Sequence, residues 1–311
     1  MTEPHRRLRA RTSGTPTVVA AFTVVAAVWG TTPFTIKTGL NAGWDPLWFC
    51  GIRLLFATAV CAPLLLTGLG GKPLGWAGRR AVVPMGVFGI ALNFGLTVWG
   101  QQYIGAGLAS LIAGTQPVTT TLIARYATHQ PMTVRFTAGL VLGVGGLIAI
   151  FGGDAGASST AILGAVAVFT GCTIYSAIFV YIGARIGGLS PVRVVATQNL
   201  IGGILVALSA LLFEGRPRLP QGVDGYLALG YLAVISSVVA LALAIWLIGT
   251  MGAPRFSLMS FVTPVIGVTV GLIWLNETLQ TRMVVGGGLI AVSLLLSLRP
   301  GAARPPAVEQ R

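Results

Sequence analysis

The chain has 311 residues, of which 54% are hydrophobic and only 9% are charged, and its mean hydropathy is +0.85. Soluble domains carry about 25% charged residues, so this composition excludes a soluble protein and is typical of one that crosses a membrane many times. The net charge of +13 does not indicate binding to nucleic acid, because the basic residues lie between apolar runs and not on one face of a soluble domain.

Five apolar runs fill the first half of the chain. Residues 1–16 form a basic tail, and the run after it is too long for the apolar part of a signal peptide, so it is predicted to be the first membrane span. Residues 17–152 are predicted to form a five-helix repeat. Its predicted spans are Val18–Ile36, Pro46–Leu66, Ala81–Trp99, Tyr103–Ala124 and Phe136–Phe151.

A polar, glycine-rich connector, residues 153–160, leads to five more apolar runs. Residues 161–298 are predicted to form a second five-helix repeat, and residues 299–311 form a second tail. The predicted spans are Ala161–Ile182, Val194–Phe213, Gly225–Ile248, Phe256–Leu275 and Met283–Leu298. The sequence therefore predicts an all-α integral membrane protein with ten transmembrane helices in two five-helix repeats.

The basic residues predict the topology of these spans. If the N-terminus is cytoplasmic, 15 of the 20 lysines and arginines lie in inside segments and four lie in outside loops. Positive residues concentrate on the cytoplasmic side of membranes, so both termini are predicted to be cytoplasmic. Because five is an odd number, the second repeat must enter the membrane from the opposite side, which makes the two repeats inverted.

The fourth run of each half carries the clearest internal repeat. A shift of 147 positions places Gly105 on Gly252 and Pro117 on Pro264. Proline removes a backbone hydrogen bond and clashes with the preceding turn, so both spans are predicted to bend or loosen at the same depth. Paired interruptions of this kind indicate a transport site, and the alternative is a static kink packed against neighbouring helices.

Four stretches together resemble the EamA-type branch of the drug/metabolite transporter superfamily: WGTTPF at residues 29–34, FCGIRLLFA at 49–57, AGLASLIAGTQPV at 106–118 and LNETL at 275–279. The resemblance implies ten helices in two repeats, both termini in the cytoplasm, and transport of small metabolites, amino acids or drugs, commonly outward. The chain departs from the family in one respect. The family has a Gly-Glu turn after the fourth helix of each half. In this chain the second half keeps the acid as Asn276-Glu277, whereas the first half has His129-Gln130.

Candidate substrate-binding residues are aromatic or polar side chains at matched repeat positions, together with the paired prolines and their neighbours. Aromatic rings can stack on an apolar substrate, and amides or hydroxyls can orient its polar end. The alternatives are anchoring at the membrane interface, above all for the span-end tryptophan, and hydrogen bonding between helices. The candidates are Trp29, Asn93, Trp99, Gln116, Pro117, Tyr175, Trp246, Thr263 and Pro264.

Arg53 is the one charged residue well inside a predicted span. At mid-bilayer an arginine costs about 2.5 to 3.5 kcal/mol, so its presence needs a reason. Arg53 either contacts an anionic substrate group, or it pairs structurally or extends its long stem towards the membrane surface.

Motifs for catalysis are absent from the sequence. Gly71-Lys72 lacks the upstream glycine of a phosphate-binding loop, and neither a nucleophile elbow nor a metal-binding His-Glu-x-x-His occurs. We therefore expect no enzyme activity, no metal and no cofactor. Cys50, Cys61 and Cys172 lie in apolar runs without a CxxC pair and are predicted to act as small buried hydrophobes.

The sequence thus predicts a secondary transporter in the cell (inner) membrane that exports a small neutral or zwitterionic organic metabolite by alternating access. Its expected partners are that small molecule and the lipid bilayer, and the oligomeric state is left open. All seven acids lie outside the span cores, which favours uncoupled transport over proton exchange without excluding the latter. The alternatives are a non-transporting scaffold or sensor that keeps the fold, and a lipid flippase.

Overall fold

The computed structural model describes residues 15–127, 134–151, 158–185, 188–220, 222–256, 259, 262–274 and 281–298. Within these ranges every regular element is a helix. The predictions made for His129-Gln130, for Asn276-Glu277, for the C-terminal tail, and for most of the N-terminal tail and of the connector lie outside the described residues.

Helices follow the predicted spans closely. The helices of the first half are α1 (Thr15–Asn41), α2 (Pro46–Leu66), α3 (Trp76–Gln101), α4 (Ala106–Ala113), α5 (Gln116–Ala127) and α6 (Val134–Phe151). Those of the second half are α7 (Ser159–Arg185), α8 (Pro191–Phe213), α9 (Val223–Met251), α10 (Ala253–Phe256), α11 (Val262–Trp274) and α12 (Thr281–Leu298).

Six of the described helices, α1, α2, α3, α7, α8 and α9, are each long and apolar enough to cross a membrane. The remaining apolar segments are shorter, and they belong to the fourth and fifth spans of each half. The prediction of an all-helical membrane protein built from two five-helix repeats is confirmed.

Helices α2 and α8 begin in the same way. Each has a proline at its first turn, Pro46 and Pro191, where the missing N–H costs no hydrogen bond. Each is preceded by a turn with a glycine in the left-handed region, Gly43 with φ 101° and Gly188 with φ 83°. Residues with a side chain rarely adopt this backbone conformation, so these two glycines let the chain reverse direction at equivalent points of the two halves.

The third span of each half contains a π-helical segment. These segments are Met85–Leu92 within α3 and Leu232–Ala240 within α9. The wider π-helical turn is rare and occurs often at functional sites. Nothing in the amino-acid pattern predicted it.

The two halves pack against each other in matched pairs. Helix α1 packs against α9 and α11, and α7 packs in the same way against α3, α4 and α5. Equivalent helices also pair, α2 with α8, α4 with α11, and α6 with α12, and α8 packs on α3 as α2 packs on α9. This pattern is a pseudo-two-fold arrangement in which most contacts cross between the halves.

The direction of the chain is opposite in the two halves. The end of the bundle that holds residues 42–45 is called the outer end, after the predicted topology. Trp44 donates from Nε1 to the Gly225 carbonyl there at 3.1 Å, which places the start of α9 at the outer end. Helix α1 therefore finishes at the outer end, where its counterpart α7 begins with Gly164 against Gly100.

The fourth span is broken, as the paired prolines predicted. Helix α4 ends at Ala113, a turn follows at Gly114 and Thr115, and α5 restarts at Gln116, so that Pro117 occupies the first turn of a new helix. The corresponding span of the second half consists of α10 and α11, and Pro264 is the third residue of α11. Breaking the helix before the proline avoids the clash that a continuous helix would suffer.

Glycines form the close contact between α6 and α12. A Cβ atom on Gly146 would lie 2.7 Å from the Gly286 carbonyl oxygen, and one on Gly143 would lie 2.8 Å from Ser293 Oγ. Gly143, Gly146 and Gly286 therefore form a packing face between the two helices. A Cβ atom on Gly145 would meet no other atom of the described residues within 4 Å.

We expect Gly146→Ala to destabilise the protein and Gly145→Ala to be tolerated. The first change forces a methyl group against backbone, which costs about 1 to 3 kcal/mol. The second adds the same methyl group without a neighbour and improves helix propensity by up to about 1 kcal/mol. Thermal unfolding of the two variants in detergent measures the difference, and equal losses would contradict this account of the packing.

At the outer end, Glu214 caps helix α2 from the end of α8. Its carboxylate accepts hydrogen bonds from the backbone N–H groups of Leu47 at 2.8 Å and Trp48 at 3.0 Å. Partial burial raises the pKa of the Glu214 carboxyl, the two backbone donors oppose that rise, and the nearby Asp45 adds to it. The net direction is upward, so folding favours the protonated acid.

We therefore expect Glu214 to contribute less stability as the pH rises. An acid whose pKa is raised by folding stabilises the protein below its unfolded pKa of about 4.3, and this contribution is lost as pH rises through the raised pKa. Thermal unfolding scans at increasing pH from about 4.3 test this in the wild type and in Glu214→Gln, which cannot titrate. Parallel pH profiles of the two proteins would contradict the expectation.

Candidate functional site

A central cavity of about 120 Å³ lies where the two halves meet. Larger hollows of about 430 and 540 Å³ also occur, but they are grooves on the outside of the bundle that include exposed apolar side chains such as Trp274 and Phe213. The central cavity differs because buried amides and a buried arginine line it. It is lined by Trp29, Thr32, Pro33, Ile36, Arg53, Asn93, Phe94, Thr97, Val98, Gln101, Ala113, Gln116, Cys172, Tyr175 and Ser236.

Four of the candidate residues predicted from the sequence line this cavity, and so does Arg53. Trp29 comes from α1, Asn93 from α3, Gln116 from the start of α5, and Tyr175 from α7. They come together because α3 and α5 of the first half pack against α7 of the second, and the Trp29 ring of α1 contacts Tyr175 of α7.

The other candidates lie elsewhere. Trp99 packs edge-to-face on Tyr103, with ring centroids 5.2 Å apart, and lines the groove between α3 and α8. Trp246 packs against the hydrophobic core. Pro117 is buried directly after Gln116, and Thr263 and Pro264 lie in the first turn of α11.

An aromatic cluster forms one wall of the cavity. Trp29 stacks parallel to Phe179 at 6.2 Å between centroids and lies 6.0 Å from the Tyr175 ring. Tyr175 in turn meets Phe94 edge-to-face at 6.1 Å, and Phe256 packs against Trp29 at 5.9 Å. Rings from α1, α3 and α7 therefore give the cavity an aromatic wall shared by both halves, and Phe179 and Phe256 pack behind it.

The guanidinium of Arg53 lies on another wall and is held by the π-helical turn of α9. Its Nε donates to Ser237 Oγ at 2.8 Å and its Nη2 donates to Ser236 Oγ at 3.2 Å. Its Cζ lies 4.9 Å from the Phe94 ring centroid. The side chain is only 2% exposed, so Arg53 stays buried and does not extend to the membrane surface.

A buried amide supports the same turn from behind. Asn199 of α8 donates from Nδ2 to the Ser237 carbonyl at 2.9 Å. The π-helical turn shifts the backbone out of regular α-helical register. Asn199 donates a hydrogen bond to one of the carbonyl groups of this turn. The serines that face Arg53 are thus fixed by a second residue outside the cavity.

The π-helical segment of α3 positions Asn93, the residue that follows it. Asn93 Nδ2 donates to the Gly89 carbonyl at 3.2 Å, and Asn93 Oδ1 accepts from Thr97 Oγ1 at 3.4 Å. Gly171 of α7 makes room for both, because a Cβ there would lie 2.9 Å from the Asn93 carbonyl and from Thr97 Oγ1. The two π-helical segments therefore each deliver polar groups to the cavity.

Gln116 links the broken fourth span to α7. Its backbone carbonyl accepts from Ser176 Oγ at 3.4 Å, and Ser176 Oγ also lies 2.7 Å from Thr119 Oγ1. These contacts hold the restart of the helix against the second half while the Gln116 side chain lines the cavity.

Gln101 is a cavity residue that was absent from the predicted set. It is fully buried, and neither its Nε2 nor its Oε1 has a hydrogen-bond partner among the residues that the structure describes. In the sequence it is one of several uncharged polar residues in or beside the spans, and such residues often only hydrogen-bond between helices. Thr32, Thr97 and Ser236 were also missed, since single hydroxyls are common in membrane helices.

Lys37 joins two helices near the outer end. Its Nζ donates to the carbonyls of Gln101 at 3.0 Å and Ile104 at 3.1 Å, which connects α1 to the C-terminal end of α3. A cation is favourable at a helix C-terminus, where the last carbonyls carry partial negative charge. The contact ties α1 to α3 beside Gln101, one of the cavity residues.

Known proteins share this architecture over most of the chain. The Uncharacterized inner membrane transporter YedA of Escherichia coli (strain K12) is 27% identical over 271 residues, with 86% of each chain covered. The Uncharacterized transporter YoaV of Bacillus subtilis (strain 168) is 21% identical over 274 residues, covering 88% of this chain and 94% of YoaV. Protein PecM of Dickeya dadantii (strain 3937) is 26% identical over 273 residues, covering 86% and 88%.

Similarity also extends to solved structures. One crystal structure aligns with a TM-score of 0.62 at 18% sequence identity, covering 91% of this chain and 97% of the other, which shows a shared fold. The sequence profile of the EamA-like transporter family matches twice, at residues 17–152 and 162–299, so each half carries one match. The chain belongs to the EamA-like transporter family.

Proposed function

We propose that this protein is a secondary transporter, and not an enzyme, that exports a small neutral or zwitterionic organic metabolite by alternating access. The observation that carries the proposal is the central cavity, which is built at the interface of two repeats and lined by amides, hydroxyls and aromatic rings. A small number of polar groups in a mostly apolar pocket is the usual form of a small-molecule site.

The matched packing of the halves supports alternating access. Helix α1 packs on α9 and α11, and α7 packs in the same way on α3, α4 and α5. Because these contacts are matched, the two halves can exchange conformations, which gives two arrangements of the bundle. One would open the cavity outward and the other inward, and the break between α4 and α5 would act as a joint. The two π-helical segments lie at equivalent places in the two halves. They would keep the polar residues of the site at the cavity wall while the bundle changes between the two arrangements.

The location follows from the relatives and the charges. YedA is described as an inner membrane transporter, and we place this chain in the same kind of membrane. The distribution of basic residues supports termini in the cytoplasm. Among the described residues no carboxylate lines the cavity, which supports facilitated export without a proton relay in the cavity wall.

Transport in proteoliposomes tests the proposal. Uptake and counterflow of a pooled panel of amino acids, aromatic metabolites and cationic drugs are measured with protein-free liposomes as the control. Counterflow of one chemical class, undiminished when the pH gradient is collapsed, is the expected result. No movement of any class in either direction would contradict transport, and complete loss on collapsing the gradient would contradict the uncoupled form.

A further inference from the structure

We infer that the transported molecule carries a carboxylate, and that Arg53 binds this group in the central cavity. The inference rests on the proposed function and names the substrate class of the same site. Three observations lead to it: the burial of Arg53, the positions of the described carboxylates, and the unpartnered amide of Gln101.

Arg53 is a buried cation held by neutral groups. The guanidinium is 2% exposed, and its partners among the described residues are two serine hydroxyls and the face of Phe94. Removing a charge from water costs several kcal/mol, and that cost is normally offset by an opposite charge. Hydroxyl dipoles offset part of it, and a bound anion would offset more.

The three carboxylates in the described ranges are engaged elsewhere. Glu214 caps α2 through the N–H groups of Leu47 and Trp48. Asp45 accepts from the Arg218 backbone N–H at 3.0 Å, and Asp224 lines the groove between α1, α9 and α11. None of the three lines the central cavity, so within this part of the chain Arg53 has no ion-pair partner there.

Arginine geometry suits a carboxylate. A guanidinium has five N–H donors, of which the two serines take two. The planar fork that remains can bind both oxygens of one carboxylate, which gives a fixed orientation as well as charge. Arg53 lines the cavity, so a solute inside it can reach the guanidinium.

Gln101 supplies a second contact for the same molecule. It is 0% exposed, it lines the cavity, and both polar atoms of its amide lack a partner among the described residues. Leaving such a group unpaired destabilises the protein. A substrate with a polar group besides its carboxylate would satisfy the amide, because Gln101 can both donate and accept.

Matched pairs of acid and amide test the inference by binding alone. The purified wild-type protein in detergent is titrated with acetate and acetamide, benzoate and benzamide, and phenylacetate and phenylacetamide, and the affinity is read from calorimetry and from thermal unfolding. We expect one acid to bind about ten- to hundredfold more tightly than its amide, as a charge-assisted hydrogen bond predicts. Arg53→Gln should abolish the preference, and Arg79→Gln, which alters an arginine outside the cavity, should keep it.

Equal affinity for acid and amide in every pair, or no binding of any acid, would overturn the inference. So would a preference that survives in Arg53→Gln. If Arg53→Gln does not fold, the wild-type pairs decide together with Gln101→Leu, which should weaken binding of 4-hydroxyphenylacetate, an acid with a second polar group, more than binding of phenylacetate. Acid binding without transport in proteoliposomes would contradict the proposed function and leave the carboxylate site at Arg53 standing. Transport at equal rates of an acid and its amide would support the proposed function and overturn the inference.

Discussion

Replacing Gly164 by alanine is expected to lower the unfolding free energy by about 3 kcal/mol, the upper end of the usual cost of overpacking. A Cβ on Gly164 would lie 2.7 Å from the Gly100 carbonyl oxygen and 2.9 Å from Tyr103 Cβ. A Cβ on Gly100 would in turn meet the Gly164 carbonyl. The two glycines therefore let α3 and α7 touch backbone to backbone. The atom nearest to the added methyl group is a backbone carbonyl oxygen, which cannot rotate away as a side chain can.

This contact joins the two halves, so its loss should affect the whole bundle. The matched control is Gly230→Ala in α9, where an added Cβ meets nothing within 4 Å. Thermal unfolding and the monodisperse fraction on size-exclusion chromatography compare the two variants. A Gly164→Ala protein as stable as Gly230→Ala would show that the halves do not approach as closely as described.

Gln116→Leu is expected to reduce transport by about ten- to hundredfold while leaving folding intact. Gln116 is half-buried at the restart of the broken fourth span, and its side chain lines the central cavity. Leucine has a similar size but no amide, so a polar group of the substrate would lose its partner at a cost of about 1 to 3 kcal/mol. The helix keeps its contact with α7 because Ser176 bonds the backbone carbonyl of residue 116.

The same chemical change outside the cavity provides the control. Gln102 lies at the outer end of α3 and donates from Nε2 to the Trp99 carbonyl at 2.9 Å. Gln102→Leu should therefore keep most of the transport rate. If Gln116→Leu transports as fast as the wild type, the cavity is not the route, and a scaffold or sensor that tolerates such changes becomes the better account.

The membrane spans could be predicted from the sequence because the local signals were strong. Pro46 opens α2 at the predicted residue, and the Gln116-Pro117 pair marks the break between α4 and α5. Length and hydropathy decide which segments cross a membrane, and proline decides where a helix can start.

The site was only partly predictable because its contacts join distant parts of the chain. Arg53 was identified as unusual, but its partners Ser236 and Ser237 lie more than 180 positions away on a π-helical turn. Trp29 and Trp99 gave the same sequence signal, and only the packing separates the cavity from the outer groove. Gln101 did not differ in the sequence from other polar residues beside the spans, and only the structure shows that it is fully buried.

Cys172 allows the most direct test of alternating access. Its thiol lines the central cavity, whereas Cys50 and Cys61 are fully buried in the hydrophobic core, so both can be replaced by alanine to leave one reporter. The single-cysteine protein in sealed vesicles is exposed to a membrane-impermeant maleimide from one side and then, in separate vesicles, from the other. We predict labelling of Cys172 from each side, slowed on both by a transported solute. Labelling from one side only, unaffected by any transported solute, would contradict a cavity that opens alternately to the two faces of the membrane.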